Sequence, residues 1–173
     1  MQEHEMHAEW IDVSIQAIKK LLEKKGDIIA VGTTSLRTIE TLYWLGVKAN
    51  ANPDADKLDL SQWEVYEKPL ANCTLSKAAS LQSLVHWLTK KGLDHIFTQT
   101  QILITPGYRF RFARALITNF HQPQSTLLLL VAAAVGDEWK KIYDYALNHD
   151  FRFLSYGDGN LLFFPATQFY TEE

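Results

Sequence analysis

The stretch DIIAVGTTSLRTIETLYWL, residues 27–45, decides the predicted fold. Its first part, residues 27–31, is short and continuously apolar after Asp27, as expected for a strand that is buried on both faces. Four small residues then form a turn, and residues 36–45 have the spacing of a helix. Because a strand, a tight turn and a helix form a βα unit, the sequence predicts an α/β fold. Its central sheet is expected to be mostly parallel or mixed, with helices on its sides.

Helical spacing recurs in four other stretches, and a serine precedes two of them as a possible cap. These predicted helices cover residues 11–25, 76–91, 126–135 and 137–148, with Ser76 and Ser125 as the capping residues. Short apolar or alternating runs predict further strands at residues 63–66, 101–104, 108–115, 116–120 and 161–164.

The composition limits the classes of function. With 173 residues, of which 47% are hydrophobic, the chain can bury one substantial core. Its 17 basic and 20 acidic side chains give a formal charge of -3, which provides no general attraction to nucleic acid. Cys73 is the only cysteine, so an internal disulfide is excluded and a reducing, cytoplasmic location is expected. The longest apolar run, residues 127–135, is too short to cross a bilayer, so no membrane partner is expected.

The turn after the first predicted strand is a candidate binding site. Gly32, Thr33, Thr34 and Ser35 lie where a helix begins, so backbone N–H groups and hydroxyls are presented together. Such a group suits a carboxylate, a phosphate or ribose hydroxyls, and Arg37 would add a bidentate donor. The alternative is an ordinary capped helix, because the lysine and the spacing of a Walker loop are absent.

The amino-terminal sequence EHEMHAE, residues 3–9, combines two histidines with alternating carboxylates. His4 and His7 can bind a metal or move a proton. Their spacing differs from that of the HExxH zinc motif, in which the histidines are four residues apart on a helix. Because residues near a chain start are commonly solvated, a surface role is the alternative.

A second polar cluster, TNFHQPQST at residues 118–126, follows a predicted strand and precedes a predicted helix. Ligands of open α/β sheets bind in the crevice outside the carboxyl ends of the strands. Asn119 can read a base or amide edge, and His121 can transfer a proton near neutral pH. Alternatively, Asn119 and Ser125 only satisfy backbone groups of the turn and the helix cap.

The sequence FRFLSYGDG, residues 151–159, places Asp158 in a glycine-flanked turn between aromatic runs. A partly apolar setting raises the pKa of a carboxyl group and suits it to proton transfer or to holding a cation. An aspartate in such a turn is also a common turn former.

Three arginines are the local candidates for phosphate contacts. Arg109, Arg111 and Arg114 lie in the sequence YRFRFARA, where basic and aromatic residues alternate. The alternative is that they form the solvent face of a strand.

Five segments form a recognisable series along the chain. They are EHEMHAEW, VGTTSLRTIE, ILITPGYRFR, ALITNFHQPQSTLLLLVAAAVG and FRFLSYGDGNLLF, and they span most of residues 3–164, apart from residues 45–96. Together they resemble the carboxy-terminal part of the S-adenosylmethionine:tRNA ribosyltransferase-isomerase family of queuosine biosynthesis. The TNFH-P-ST and SYGD elements are long and unusual, which argues against a chance match.

The resemblance implies an enzyme with S-adenosylmethionine as cosubstrate and tRNA as acceptor. In this family, the aminomethyl group of 7-aminomethyl-7-deazaguanine at the tRNA wobble position attacks the ribosyl part of S-adenosylmethionine. Adenine and methionine leave, and the base becomes epoxyqueuosine. The resemblance thus implies a proton acceptor beside the sulfonium and a site that shields an intermediate from water, without a metal or a redox cofactor.

The resemblance also suggests roles for the polar clusters. Substrate-binding roles are expected for Gly32, Thr33, Thr34, Ser35, Arg37, Asn119, Ser125 and Tyr156. His7 and His121 are the expected proton carriers, and Asp158 is expected to orient a histidine or to pair with a cation. The turn after Val31, the corner at Asn119 and His121 and the turn at Asp158 are expected to converge around one cavity.

The sequence departs from the family in its length and at particular positions. The amino-terminal half of these enzymes is missing, so that half is an expected partner and the chain is expected to be inactive alone. Residues 1–173 are predicted to form a single α/β domain, in which residues 46–95 form an inserted, helical subdomain longer than the family's usual link. Gln122 stands where leucine is usual, and Gly159 with Asn160 replaces a more apolar pair.

Two other functions remain open from the sequence. One is a non-catalytic module, derived from the family, that binds S-adenosylmethionine or a nucleotide. The other is a related transferase that acts on another substrate.

Overall fold

The regular structure comprises helices and strands in two compact units. The computed structural model describes residues 8–170. The first unit comprises residues 8–26 and 37–102, and the second comprises residues 27–36 and 103–170. In chain order, the elements are β1 (Glu9–Ser14), α1 (Ile15–Glu23), β2 (Ile28–Val31), α2 (Thr33–Ala51), α3 (Lys77–Lys90), β3 (His95–Thr100), β4 (Ala113–Asn119), α4 (Thr126–Val135), α5 (Glu138–Asn148) and β5 (Gly159–Phe163). This combination of helices with a mixed sheet confirms the predicted α/β class.

The first unit contains a two-stranded antiparallel sheet in which β1 pairs with β3. The sequence predicted one helix over residues 11–25, and this was wrong for its first residues, because residues 11–14 belong to β1. Ser14 separates the two elements, since its Oγ accepts a hydrogen bond from the N–H of Ala17 at 3.2 Å and caps α1. Ile11 is buried in the strand, which explains why it fitted the apolar pattern of a helix equally well.

The helices of the first unit approach each other at Gly46 of α2. A Cβ atom at this position would overlap the backbone and the hydroxyl of Ser80 on α3. Ser80 Oγ also donates a hydrogen bond to the Tyr43 carbonyl at 2.5 Å, and this bond links the two helices at this point. The predicted cap of α3 is present, because Ser76 Oγ accepts the N–H of Ala79 at 3.1 Å. The predicted strand at residues 63–66 was wrong, since Glu64–Tyr66 is a 3-10 turn.

The second unit contains the mixed sheet, in the order β2-β4-β5. β2 runs parallel to β4, and β5 runs antiparallel to it. The predicted strands at residues 108–115 and 116–120 correspond to one strand, β4, that begins later, at Ala113. Residues 101–104 do not form the predicted strand, because the strand in this region is β3, immediately before them. Ser125 caps α4 as predicted, accepting the N–H of Leu128 at 3.1 Å.

The prediction that β2 is buried on both faces was wrong. Ala30 is 4% exposed, whereas its neighbours Ile29 and Val31 are 47% and 65% exposed. Side chains of a strand alternate between the two faces of a sheet, so one face of β2 is covered and the other is open.

Residues 46–95 lie within the first unit and include the end of α2, two 3-10 turns and α3. The interpretation of this segment as an inserted subdomain within one α/β domain stays a prediction.

Candidate functional site

A polar cleft lies in the second unit, at the carboxyl ends of the neighbouring parallel strands β2 and β4. Its volume is about 380 Å³. Its lining consists of Val31, Gly32, Thr33, Thr34, Ser35, Thr118, Asn119, His121, Gln122, Ser125, Leu127, Leu154 and Ser155. The structure therefore brings together two of the three predicted clusters and part of the third. This is the edge of the sheet where open α/β folds bind ligands.

Gly32 forms the sharp turn between β2 and α2. Its φ of +88° is readily adopted by glycine and rarely by other residues. The Gly32 N–H donates to the Ile117 carbonyl of β4 at 2.8 Å, and the Gly32 carbonyl accepts the N–H of Leu36 at 3.2 Å. These two hydrogen bonds fix the beginning of α2 at the cleft. The positive end of the helix dipole and the hydroxyls of its first turn are therefore presented to a ligand.

His121 lies at the end of β4 and is partly buried in the cleft wall. Its Nε2 is 3.0 Å from Thr118 Oγ1, a distance that indicates a hydrogen bond in which either atom can be the donor. The backbone N–H of His121 donates to Tyr143 Oη at 3.0 Å. Burial lowers the pKa of the His121 imidazole below its usual value. The ring is therefore neutral near pH 7 and able to accept a proton.

Asn119 and Ser125 line the cleft and also serve the backbone. Asn119 Nδ2 donates to the Gly157 carbonyl at 3.2 Å, which ties the end of β4 to the loop before β5. Ser125 Oγ donates to the Gln122 carbonyl at 2.8 Å and caps α4. Both residues therefore make the backbone contacts that the alternative interpretation of the sequence predicts. Asn119 Oδ1 and the Ser125 hydroxyl can still meet a ligand, because both residues line the cleft.

Asp158 forms an ion pair beside the cleft and is not part of its lining. Its Oδ1 is 3.0 Å from Arg152 Nη2, and its Oδ2 accepts the backbone N–H of Arg152 at 2.8 Å. Hydrogen bonds from Arg152 lower the pKa of the Asp158 carboxyl group, whereas the sequence suggested that an apolar setting would raise it. Leu154 and Ser155 of the same loop do line the cleft. Tyr156 is 98% exposed and lies outside the lining, so its predicted substrate-binding role stays a prediction.

Arg37 lies in the first unit, is 2% exposed and does not line the cleft. Its Nη1 is 2.8 Å from Glu9 Oε1, and its Nε donates to the Ile102 carbonyl at 3.1 Å. Desolvation lowers the pKa of the guanidinium, while the contact with Glu9 opposes this effect. These contacts hold β1 against α2 within that unit. His7, the other predicted proton carrier, lies outside the described residues.

The three candidate arginines for RNA differ in their surroundings. The Arg111 guanidinium lies 3.6 Å from the centre of the Tyr170 ring, and that of Arg114 lies 3.6 Å from the centre of the Phe169 ring. Arg111 is buried, whereas Arg109 is exposed. Stacking on aromatic rings stabilises the Arg111 and Arg114 side chains within the fold. Arg109 is the exposed one of the three, and a phosphate contact at any of them stays a prediction.

Thr118 and Leu127 line the cleft although the sequence suggested no role for them. The signal for Thr118 was its position within the TNFH motif, on the same strand as Asn119 and three residues before His121. Of the positions predicted to depart from the family pattern, Gln122 lines the cleft. The Asn160 side-chain amide is buried, and within the described part of the chain its Nδ2 and Oδ1 have no hydrogen-bond partner.

Within residues 8–170, no group of three or more histidine, cysteine, aspartate or glutamate side chains is arranged to hold a metal ion. Among the helices of those residues, none combines the length and the apolar character needed to cross a bilayer.

Comparison with known proteins places the cleft in a family. One relative is the S-adenosylmethionine:tRNA ribosyltransferase-isomerase of Cereibacter sphaeroides, which is 38% identical over 92% of this chain. The enzyme of the same name from Polynucleobacter asymbioticus is 36% identical over 94% of the chain. The chain spans about a third (34%) of the length of each of these two relatives.

A solved structure and a family model agree with these relatives. The S-adenosylmethionine tRNA ribosyltransferase of Thermotoga maritima superposes with a TM-score of 0.55 and 27% sequence identity. The superposition covers 88% of this chain and 39% of that one. The model of the family described as "Queuosine biosynthesis protein" matches residues 1–162. The resemblance seen in the sequence is thereby confirmed, and the chain belongs to the queuosine biosynthesis protein family.

Proposed function

We propose that this chain supplies the cosubstrate-binding cleft of a tRNA ribosyltransferase-isomerase and works as one part of a longer enzyme. The proposed reaction transfers and isomerises the ribosyl moiety of S-adenosylmethionine onto 7-aminomethyl-7-deazaguanine at the tRNA wobble position. Its products are epoxyqueuosine in the tRNA, adenine and methionine. The observation that carries the proposal is the convergence of the Gly32–Ser35 turn with Asn119 and His121 around one cleft.

The start of α2 is the proposed binding site for the polar parts of S-adenosylmethionine. The carboxylate of the methionine portion and the ribose hydroxyls are the groups that suit a helix N-terminus and the hydroxyls of Thr33 and Ser35. Leu127 adds an apolar contact to the same cleft. Asn119 Oδ1 is the proposed acceptor for a donor on a base or ribose, since its Nδ2 is held by the Gly157 carbonyl.

His121 is the proposed proton acceptor. For the Nδ1 atom to accept a proton, Nε2 must carry the ring hydrogen and donate it to Thr118 Oγ1. In that arrangement the Thr118 hydroxyl is the acceptor, and Nδ1 does not carry the ring hydrogen. Burial favours the same neutral state by lowering the imidazole pKa. A neutral histidine in a partly closed cleft is a suitable base for the proton beside the sulfonium.

The second candidate function is a module that binds S-adenosylmethionine or a nucleotide without turnover. The placement of Asp158 favours it, because that carboxylate is engaged by Arg152 and does not line the cleft. Of the two predicted catalytic residues within the described part of the chain, His121 and Asp158, only His121 lines the cleft.

The test is a hybrid enzyme in which this chain replaces the matching third of the Cereibacter sphaeroides relative. Mass spectrometry of tRNA measures the formation of epoxyqueuosine over time. His121→Ala is expected to lower kcat by about 100-fold or more, the usual loss for a general base. His149→Ala is the matched control, because His149 is an exposed histidine of the second unit outside the cleft.

Three results distinguish the candidates. Loss of turnover in the His121→Ala hybrid but not in the His149→Ala hybrid supports the proposed enzymatic function. Turnover within about threefold of the unsubstituted hybrid would refute His121 as the base. Calorimetric binding of S-adenosylmethionine by a well-folded hybrid that forms no epoxyqueuosine would favour the binding module.

A further inference from the structure

The sheet of the second unit carries apolar residues on the face opposite its covered side. The strand register aligns them in two rows across the sheet. The rows are Val31–Ile117–Leu161 and Ile29–Ala115–Phe163, here called the open face. Each row crosses all three strands, so the open face is continuous from β2 to β5.

The open face is exposed, in contrast to the other side of the same strands. The exposed fractions are 47% for Ile29, 65% for Val31, 39% for Ile117, 48% for Leu161 and 68% for Phe163, whereas the small central residue Ala115 is 0% exposed. On the covered side, Ala30, Leu116 and Leu162 form the corresponding row and are at most 4% exposed. Among residues 8–170, the large side chains on one side of the sheet are therefore packed, while those on the open face are exposed.

An uncovered face of this kind is unusual for a sheet with parallel strands. All-parallel sheets occur almost exclusively with both faces covered, and in this mixed sheet β2 and β4 form a parallel pair while β5 runs antiparallel. Contiguous exposed apolar patches on soluble proteins mark interaction sites. The open face contains no charged side chain, which disfavours a nucleic acid as its occupant. A polypeptide layer with apolar side chains fits it.

The greater length of a related enzyme identifies a source for such a layer. This chain spans 34% of the Cereibacter sphaeroides relative, so about two-thirds of a related enzyme lies outside the matched region. The open face also adjoins the cleft, because Val31 belongs to both. A layer that covered the open face would therefore form an additional wall of the cleft.

We infer that the open face is the docking surface for the part of the enzyme that this chain does not span, and that docking completes the cleft beside Val31. The inference rests on the proposed function only in that the chain works as part of a longer enzyme. It does not depend on His121 acting as a base.

The test compares two exposed positions that differ in location. Phe163 on the open face is 68% exposed, and Leu147 on α5 is 67% exposed. Phe163→Cys and Leu147→Cys are each prepared in the 173-residue chain and in the hybrid with the Cereibacter sphaeroides relative. The rate of iodoacetamide labelling is read at each position by peptide-resolved mass spectrometry. This readout does not require turnover, so docking and catalysis can fail independently.

The expected result is rapid labelling of both cysteines in the 173-residue chain. In the hybrid, labelling at position 163 slows by about tenfold or more, while that at position 147 is unchanged. Equal rates at position 163 in the two proteins, or equal slowing at both positions, would overturn the inference. Slowing at position 163 that increases with the concentration of the 173-residue chain would assign the face to a second copy instead, and would also overturn it.

A second measurement needs no hybrid. In the 173-residue chain, Phe163→Lys is expected to reduce the fluorescence of bound 1-anilinonaphthalene-8-sulfonate, and Leu147→Lys is not. This follows because the dye binds to contiguous apolar surface. An equal response of the two variants would show that the open face is not accessible as described.

Discussion

Thr118 and His121 form the pair on which the proposed chemistry depends. Their side chains are 3.0 Å apart, and the imidazole is partly buried with a lowered pKa. A lowered pKa means that the folded protein binds a proton at His121 less readily than the unfolded chain does. As the pH falls through the usual range of a histidine, the unfolded state gains the proton first. The free energy of unfolding contributed by this site therefore decreases.

We predict that His121→Gln makes the stability less sensitive to acid. Between about pH 7 and pH 5, the free energy of unfolding of the unsubstituted chain is expected to fall more than that of His121→Gln. Urea titrations at several pH values measure this difference. His149→Gln is the control and is expected to follow the unsubstituted chain. If the free energy of unfolding fell more over this pH range in His121→Gln than in the unsubstituted chain, the direction of the pKa shift would be contradicted.

Much of the cleft could be predicted from single residues. Gly32–Ser35 and Asn119 with His121 follow neighbouring strands, and the carboxyl ends of parallel strands share one edge of a sheet. The environments of Asp158 and Arg37 could not be predicted in this way. Each is set by one partner, Arg152 or Glu9, and no local pattern links Glu9 with Arg37 across the chain.

At the scale of elements, the close approach of α2 and α3 depends on Gly46. Glycine normally weakens a helix interior by up to about 1 kcal/mol relative to alanine. Here the missing Cβ makes room for the backbone of Ser80, so contact between the helices outweighs propensity.

We predict that Gly46→Ala destabilises the chain by about 1–3 kcal/mol, because the added methyl group overpacks the contact. Chemical denaturation measures the change. The double variant Gly46→Ala with Ser80→Gly is the control, and it should remain destabilised because the Ser80 carbonyl still obstructs the methyl group. An increase in the free energy of unfolding in Gly46→Ala would show that the higher helix propensity of alanine outweighs the overpacking.

The elements that were predicted well are those with local signals. A serine cap followed by apolar periodicity located α3 and α4, and each cap is present. β1 was missed because its partner β3 lies far away along the chain, and no local pattern encodes that pairing. Strand propensity depends on such partners more than helix propensity does.

For the protein as a whole, charge limits how strongly the chain could bind the proposed tRNA substrate. The formal charge is -3, and two of the three candidate arginines stack on aromatic rings. Broad electrostatic attraction to RNA is therefore not a property of this chain, and the rest of the enzyme is expected to supply it.

We predict that the 173-residue chain alone binds tRNA weakly. Few phosphates can be neutralised, so the slope of log K against log salt should be no steeper than about −2. Fluorescence anisotropy over a range of salt concentrations measures the slope. Arg109→Ala should flatten it further, while Arg114→Ala should mainly lower thermal stability because the cation packs on Phe169. A slope near −5 would refute this expectation.

Strand β4 carries Ile117 on the open face, and the next residue, Thr118, lies on the opposite face and contributes to the cleft. Because consecutive residues of a strand point in opposite directions, inserting or deleting one residue in its middle would exchange the destinations of those that follow. A single frame-preserving insertion or deletion would thus alter both the cleft and the proposed docking surface at once. Side-chain replacements, in contrast, could change either surface without disturbing the other.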